Sequence, residues 1–237
     1  MSATETLDRP LTPTLHTGDL ADRAAEFREK GRVLLDGVVP PEVAAGLTYQ
    51  AQVGAKKPKG PALTQAPVSK KSTIEIYGFL WPSLLGFHWG LTPAIEAAAG
   101  VRLLPTYSYF RTYQRGDVCK IHIDRPSCEH SFSLTIGYSD DKPWALCVGE
   151  KQWTEEAMKA HPMTDDFGEE AYSGFAMQPG DGVLYKGCER RHGRVDPNPN
   201  RWSAHLFLHW VDRDGPNAEW AFDKQRVFTD GDFAFPG

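Results

Sequence analysis

Cysteine is scarce in this chain of 237 residues, and its four copies are irregularly spaced. No two of them form the C-x-x-C pair of a zinc ribbon, and the polar start of the chain gives no export signal that would favour disulfides. Free thiols in a reducing compartment are therefore expected. The four residues are Cys119, Cys128, Cys147 and Cys188.

Long apolar runs and an excess of basic charge are also missing. Residues 1–17 lack the apolar core of a secretion signal, and no stretch approaches the length of a membrane span. The formal net charge of −5 provides no basic surface for long duplex nucleic acid. We expect a cytoplasmic protein that binds neither membranes nor nucleic acid.

The chain does contain enough apolar material for one sizeable core, since 41% of its residues are hydrophobic. Residues 1–17 are predicted to be disordered, and residues 18–237 to form a single domain. Within this domain, apolar periodicity predicts a helix over Leu20 to Lys30 and a strand over Arg32 to Asp36. A second helix is predicted to begin at Pro40.

Two further segments are predicted from their punctuating residues. Thr92 and Pro93 are typical of a helix start and Gly100 of its end, so a helix is expected between them. Residues 54–71 hold five lysines among glycines and prolines. This composition favours a mobile loop, and the loop is a candidate lid over the substrate.

The triplet His122, Ile123 and Asp124 carries the strongest chemical signal. It lies at the end of an extended segment that follows a turn at residues 114–117. Residues two apart on a strand point to the same face, so this imidazole and this carboxylate can bind one metal ion. The chain holds eight histidines, so the triplet alone is weak, and a third ligand must come from elsewhere.

His192 is the candidate for that third ligand. It follows a predicted strand that ends near Tyr185, and it precedes an alternating run from Trp202 to Val211. Two imidazoles and one carboxylate form the facial triad of non-heme iron oxygenases, which leaves other metal positions open. His205 and His209 compete for this role, but we expect them to fill the interior or to approach the substrate.

These residues resemble the Fe(II)- and 2-oxoglutarate-dependent dioxygenases, in particular the prolyl-hydroxylase-like branch. The resemblance covers roughly residues 33–212. It implies a mainly β fold with flanking helices (α+β) around a double-stranded β-helix, or jelly-roll, core. It also implies that His122, Asp124 and His192 bind Fe(II), with 2-oxoglutarate and O2 as cosubstrates.

The same resemblance assigns three further residues to 2-oxoglutarate. Arg201 lies nine positions after His192, where the family places a basic residue that pairs with the far carboxylate of the cosubstrate. Ser203 completes the family's R-x-S arrangement. An arginine fork donates two parallel charge-assisted hydrogen bonds to a carboxylate, and a serine hydroxyl adds a third donor. Tyr113, nine positions before His122, matches a family tyrosine whose hydroxyl touches the cosubstrate.

The implied activity is hydroxylation of an unactivated C–H bond in a small amino-acid-like or natural-product substrate, with release of succinate and CO2. Asp124 disfavours halogenation, because the related halogenases replace this carboxylate with glycine or alanine. Two alternatives stay open: hydroxylation of a peptidyl residue, and a cupin-like metal-binding protein that does not use 2-oxoglutarate. These residues do not fix the substrate, the choice between hydroxylation and desaturation or cyclisation, or the oligomeric state.

Overall fold

The computed structural model describes residues 17–55, 63–154 and 163–224. Apart from Thr17, the predicted disordered N-terminus lies outside the described residues, and so does the centre of the lysine-rich segment. Within the described chain, no helix combines the length and the apolar character needed to cross a bilayer. The prediction of a single domain over residues 18–237 stays a prediction.

The described chain contains three α-helices and eleven strands, joined by short turns and three 3₁₀ segments. In chain order the helices and strands are α1 (Thr17–Lys30), β1 (Arg32–Leu35), α2 (Pro41–Ala55), β2 (Leu63–Thr64), β3 (Thr73–Tyr77), α3 (Pro82–Ala99), β4 (Leu103–Gln114), β5 (Cys119–His122), β6 (His130–Tyr138), β7 (Leu146–Gly149), β8 (Tyr172–Phe175), β9 (Gly182–Tyr185), β10 (His192–Arg194) and β11 (Trp202–Asp212). The 3₁₀ segments are Gly78–Leu80, Pro126–Cys128 and Ala218–Lys224.

The strands form two antiparallel sheets. One has seven strands in the order β1-β9-β6-β11-β4-β3-β2, and the other has four in the order β5-β10-β7-β8. Strands from both sheets contribute side chains to a shared interior, where Cys119 of β5 packs with Phe207 of β11. This arrangement is a jelly roll, so the predicted mainly β fold with flanking helices is confirmed.

The long central strand β11 lies between the main hydrophobic core under the helices and the interior between the two sheets. Ala204, Leu206 and Leu208 face the helices and join the main hydrophobic core. His205 and Phe207 are buried on the opposite face, towards the interior between the sheets. The alternation predicted for this run is therefore confirmed, and it places polar groups inside the barrel.

Helix α3 differs from the prediction at its start. It begins at Pro82 rather than Thr92, and Pro93 lies inside it. The Thr92 hydroxyl does not cap the helix: it accepts a hydrogen bond from Trp210 Nε1 at 3.0 Å. Gly100 does end the helix, with a left-handed φ of 71° and its N–H donated to Glu96 O.

The described end of the lysine-rich segment is fixed in place. The backbone amides of Lys70 and Lys71 both donate to Asp117 Oδ1, at 2.8 and 3.0 Å. The Lys120 amide of β5 donates to Val68 O at 2.7 Å. This part of residues 54–71 therefore lies along the edge of β5, in contrast to the mobile loop expected there.

Candidate metal and cosubstrate site

The three predicted metal ligands converge at the ends of two neighbouring strands. β5 ends at His122, and β10 begins at His192, which pairs with His122 across the ladder. Asp124 Oδ1 lies 3.6 Å from His122 Nε2, and Asp124 Oδ2 lies 3.4 Å from His192 Nε2. The three residues each offer one ligand atom, and these three atoms all lie within 4.8 Å of one another. The structure thus brings together His122, Asp124 and His192.

Backbone carbonyls orient both imidazoles. His122 Nδ1 lies 2.7 Å from Lys120 O, and His192 Nδ1 lies 2.9 Å from Arg190 O. A carbonyl only accepts hydrogen bonds, so each Nδ1 carries the proton and each Nε2 keeps its lone pair. Both Nε2 atoms face Asp124. Metal-binding histidines are commonly held in this way, because a hydrogen bond from one ring nitrogen to a carbonyl leaves the other nitrogen free to bind the metal.

The charges of the three groups also suit a divalent metal. Burial, together with the neighbouring His192, lowers the pKa of His122 to about 4. Burial alone would raise the pKa of Asp124, but His192 and His122 hold it below its usual value. Burial opposes the charged form of His192, yet Asp124 raises its pKa. Asp124 is therefore held in the ionised form, in which it can serve as the anionic ligand of a divalent metal.

A second set of possible ligands shares Asp124. Cys128 and His209 also offer atoms within 4.8 Å of this carboxylate. Burial raises the pKa of the Cys128 thiol well above its usual value, and the Sγ lies 3.2 Å from the Tyr107 hydroxyl. Because the thiolate is the form that binds metals, this set is the weaker candidate.

Arg201 and Ser203 do not join the metal ligands. Arg201 is exposed, just before β11, where its amide donates to Asp140 Oδ2 at 2.7 Å. The Ser203 side chain is buried, but its hydroxyl donates to Asn198 Oδ1 at 2.7 Å and accepts from Asn200 Nδ2 at 3.2 Å. The contacts of both residues thus hold the turn before β11.

Tyr113 does lie in the interior, as its predicted role requires. Its side chain is fully buried, and its ring packs 5.0 Å from Trp144 and 5.9 Å from His205. The hydroxyl accepts a hydrogen bond from Arg111 Nη1 at 3.1 Å. The charge of Arg111 is balanced by Glu75, whose carboxylate lies 2.7 Å from Arg111 Nε.

Arg194 is a second buried guanidinium in the interior, and the sequence reasoning missed it. It is only 1% exposed, and it donates to Trp144 O and to His205 Nδ1, the latter at 3.3 Å. No carboxylate among the described residues forms an ion pair with it. Arg194 follows His192 by two positions on β10, so the spacing rule that linked His122 to Asp124 could have found it.

His205 adds an unused donor beside this guanidinium, and Ser133 adds another on β6, the strand that pairs with the strand of His205. His205 Nδ1 accepts from Arg194, so in the neutral ring the proton lies on Nε2. The Nε2 atom is buried and has no hydrogen-bond partner among the described residues, and the same is true of the Ser133 hydroxyl. On β6, Ser133 lies between Ser131, which contacts Asp124, and Thr135, which contacts His205. The interior thus carries a candidate metal site and two buried donors without a partner among the described residues.

Comparisons by sequence find nothing: no protein-family model matches the chain, and neither does any curated protein. Comparisons by structure find many similar chains. The non-heme α-ketoglutarate-dependent carbocyclase SnoK from nogalamycin biosynthesis is 10% identical, with 86% of this chain and 88% of SnoK covered and a TM-score of 0.68. A prolyl-4-hydroxylase from Pseudomonas putida is 13% identical, with 82% and 99% covered and a TM-score of 0.57.

A third similar structure, HygX from Streptomyces hygroscopicus, was solved with nickel, 2-oxoglutarate and hygromycin B bound. It is 10% identical, with 81% of this chain and 86% of HygX covered and a TM-score of 0.60. Identities this low establish the fold alone. The chain has the fold shared by these 2-oxoglutarate-dependent oxygenases, which confirms the fold that the resemblance implied.

Proposed function

We propose that the protein is an Fe(II)- and 2-oxoglutarate-dependent dioxygenase that hydroxylates a C–H bond of a small molecule. The observation that carries the proposal is the pairing of two sites in one interior. His122, Asp124 and His192 form an open N/O donor set, and Arg194 nearby is a buried cation that has no carboxylate partner within residues 17–55, 63–154 and 163–224. A metal-binding protein without a cosubstrate has no use for the second site.

The donor set fits iron. Two imidazoles with fixed tautomers and one ionised carboxylate are the ligands that non-heme Fe(II) takes when other positions stay open for small ligands. Iron held there would allow O2 to act as the oxidant: one oxygen atom would convert 2-oxoglutarate to succinate and CO2, and the other would hydroxylate the substrate. The chain itself positions the ligands: Lys120 O and Arg190 O hold the two imidazoles.

We assign the far carboxylate of 2-oxoglutarate to Arg194 in place of Arg201. A buried cation is costly unless an anion accompanies it, and no described carboxylate does so for Arg194. The unpaired His205 Nε2–H and the Ser133 hydroxyl would add two donors. Tyr113, predicted to touch the cosubstrate, packs against His205 and keeps that role in the proposal.

A small-molecule substrate is preferred over a peptide. The structure of HygX holds hygromycin B, which supports small molecules as substrates for this fold, whereas the similarity to a prolyl-4-hydroxylase supports the peptidyl alternative. The two are distinguished by whether free metabolites or proline-containing peptides stimulate succinate formation by the iron-loaded protein.

Calorimetric titration of nickel-loaded protein with 2-oxoglutarate tests the assignment. Arg194→Gln is expected to weaken cosubstrate binding about 100-fold, as expected when one partner of a buried charge pair is removed. Arg194→Lys should recover part of the affinity, and the exposed Arg201→Gln should bind like wild type. Nickel affinity should be unchanged in all three variants.

Three outcomes of this titration would contradict the proposal. Weaker 2-oxoglutarate binding by Arg201→Gln, together with wild-type binding by Arg194→Gln, would show that Arg201 holds the far carboxylate. Wild-type protein that binds nickel but not 2-oxoglutarate would favour the cupin-like alternative. A His122→Ala variant that still binds nickel like wild type would remove the metal assignment itself.

A further inference from the structure

A row of aromatic rings leads from the protein surface towards the metal ligands. Phe79, which is 65% exposed, stacks on Tyr77 with a centroid distance of 5.7 Å. Tyr77 packs 5.6 Å from Tyr109, which stacks on Phe207 at 4.9 Å and an interplanar angle of 16°. Tyr107 is nearly parallel to Tyr109, at 9° and 6.1 Å. We call these five residues the aromatic wall.

The inner end of the aromatic wall reaches the metal site. The Tyr107 ring lies 4.6 Å from the ring of His209. His209 Nδ1 lies 2.9 Å from Ser131 Oγ, and that hydroxyl donates to Asp124 Oδ2 at 3.0 Å. A flat ligand that stacks on the wall would therefore lie beside the proposed iron site.

A cationic side chain lies at the inner end of the aromatic wall. Arg125 directly follows Asp124 in the chain, and its guanidinium carbon lies 4.5 Å from the centre of the Tyr107 ring. Its Nη1 donates to Asp223 Oδ1 at 2.8 Å, and the two side chains are 45% and 32% exposed. An ion pair this exposed contributes little net stability.

Asp223 reaches Arg125 from a strained segment. The 3₁₀ segment Ala218–Lys224 packs against β4, and its last three residues, Phe222, Asp223 and Lys224, have positive φ of 53°, 54° and 61°. Consecutive non-glycine residues rarely adopt this left-handed conformation, because the β-carbon crowds the following carbonyl. The ion pair is thus weak, and its carboxylate is held by a backbone in an unfavourable conformation. An incoming anion can therefore replace the Asp223 carboxylate at Arg125.

We propose that the aromatic wall and Arg125 bind the primary substrate, that this substrate is a small aromatic carboxylic acid, and that Asp223 occupies the position of its carboxylate until it arrives. The proposal rests on the proposed function, because the wall matters only if the metal site beside it is catalytic. The ring would stack on the wall, and the carboxylate would take the hydrogen bonds of the Arg125 guanidinium. The carbon presented to the metal would be one next to or within the ring.

Ligand-detected saturation-transfer NMR on the full chain tests the proposal with three probes: phenylacetate, its neutral isostere phenylacetamide, and the saturated acid cyclohexylacetate. The measurement is made first without metal and then with nickel and 2-oxoglutarate, so it needs no turnover. Phenylacetate should bind at least about tenfold more tightly than either other probe, the ratio expected when one charged or stacking contact is missing.

Two variants separate a binding role from a structural one. Arg125→Gln should reduce phenylacetate binding to the level of phenylacetamide. Asp223→Asn should tighten phenylacetate several-fold and leave phenylacetamide unchanged, because it removes the competing carboxylate. Arg115→Gln is the matched control, since Arg115 forms an exposed ion pair of the same length, 2.8 Å, with Asp140 elsewhere.

Equal affinity for phenylacetate and phenylacetamide, or no binding of phenylacetate, would overturn the substrate class. Wild-type affinity for phenylacetate in Arg125→Gln, or weaker binding in Asp223→Asn, would overturn the roles of the two residues. Failure of the proposed function has a different signature, since 2-oxoglutarate would then fail to bind the nickel-loaded protein whatever the three probes do.

Discussion

Gly187 and Asp124 are in such close contact that no side chain fits between them. A β-carbon at Gly187 would lie 2.7 Å from Asp124 Oδ2, and Cys128 O and Ser131 Oγ would be closer still. The Asp124 amide also donates to Gly187 O at 3.0 Å. The backbone of the loop after β9 therefore lies directly against the carboxylate proposed as a metal ligand.

Gly187→Ala should displace the Asp124 carboxylate and weaken metal binding. We expect nickel affinity, measured by calorimetry, to fall about 10- to 100-fold, the usual cost of disturbing a group that orients a metal ligand. The matched control is Gly86→Ala on α3, where a β-carbon meets nothing within 4 Å. Unchanged affinity in Gly187→Ala would show that this contact does not set the position of Asp124.

Two serines on the inner face of β6 should have different roles, one in metal binding and the other in 2-oxoglutarate binding. Ser131 donates to Asp124 Oδ2 at 3.0 Å, whereas the Ser133 hydroxyl has no partner among the described residues. Ser131→Ala is therefore expected to lower nickel affinity about tenfold or more. Ser133→Ala should instead weaken 2-oxoglutarate binding to the nickel-loaded protein, by up to about tenfold for one hydrogen bond. Calorimetry that gives the same pattern for both variants would argue against two separate subsites.

Glu75 and Arg111 form a buried ion pair whose disruption should destabilise the fold. Their side chains are 11% and 10% exposed, and the residues are cross-strand partners on β3 and β4. Glu75→Ala leaves a buried guanidinium unpaired, which should cost about 3 kcal/mol in the free energy of unfolding measured by urea denaturation. Asp36→Ala, which removes the exposed pair with Arg23, should cost less than about 1 kcal/mol.

The double variant Glu75→Leu with Arg111→Met checks the cause of this loss. Replacing both charges with apolar groups removes the unpaired cation, so most of the lost stability should return. Equal instability of the single and double variants would instead point to lost packing at β3.

The free energy of unfolding should decrease as the pH is lowered, because several histidines are buried in the neutral form. Burial lowers the pKa of His88 to about 3 and that of His130 to about 4, against about 6.5 in the unfolded chain. Below pH 6.5 the unfolded state therefore binds protons that the folded state does not bind. The free energy of unfolding then decreases by up to about 1.4 kcal/mol per pH unit for each histidine as the pH falls towards 4.

Urea denaturation at pH 7, 6 and 5 in the presence of EDTA measures this slope without metal linkage. His130→Gln should show a shallower decrease than wild type, since one of the buried neutral rings is gone. A stability that stays constant between pH 7 and 5 would mean that these histidines titrate normally in the folded protein.

The sequence could predict those parts of the site that depend on local periodicity. The two-residue spacing correctly predicted that His122 and Asp124 lie together, although β5 ends at His122 and Asp124 follows it, and the alternation of β11 follows from its apolar pattern. His192 required a pairing between distant strands, which no local rule provides, and the resemblance to a known family supplied it. The structure then placed it opposite His122.

The wrong start predicted for α3 has a physical cause of the same kind. Pro93 is acceptable inside α3, so the Thr92 and Pro93 signal for a helix start was misleading. Arg201 and Arg194 are both arginines near His192 in the chain. Only the three-dimensional arrangement shows that Arg201 is exposed, whereas Arg194 is buried and pairs with no carboxylate in the part of the chain that the structure describes. This contrast is the reason for proposing Arg194 as the cosubstrate anchor. Whether a charge is paired depends on residues that are distant in the sequence and meet only in the folded interior, so a local sequence pattern does not predict it.

The most direct test of the central claim is an anaerobic titration of metal-free protein with Fe(II) and 2-oxoglutarate, followed by visible absorbance. We expect a charge-transfer band in the wild-type protein that requires both Fe(II) and 2-oxoglutarate. The band should be absent in His122→Ala and should need far more 2-oxoglutarate in Arg194→Gln. Iron binding without any band on addition of 2-oxoglutarate would contradict the account and would indicate a metal-binding jelly roll that does not use this cosubstrate.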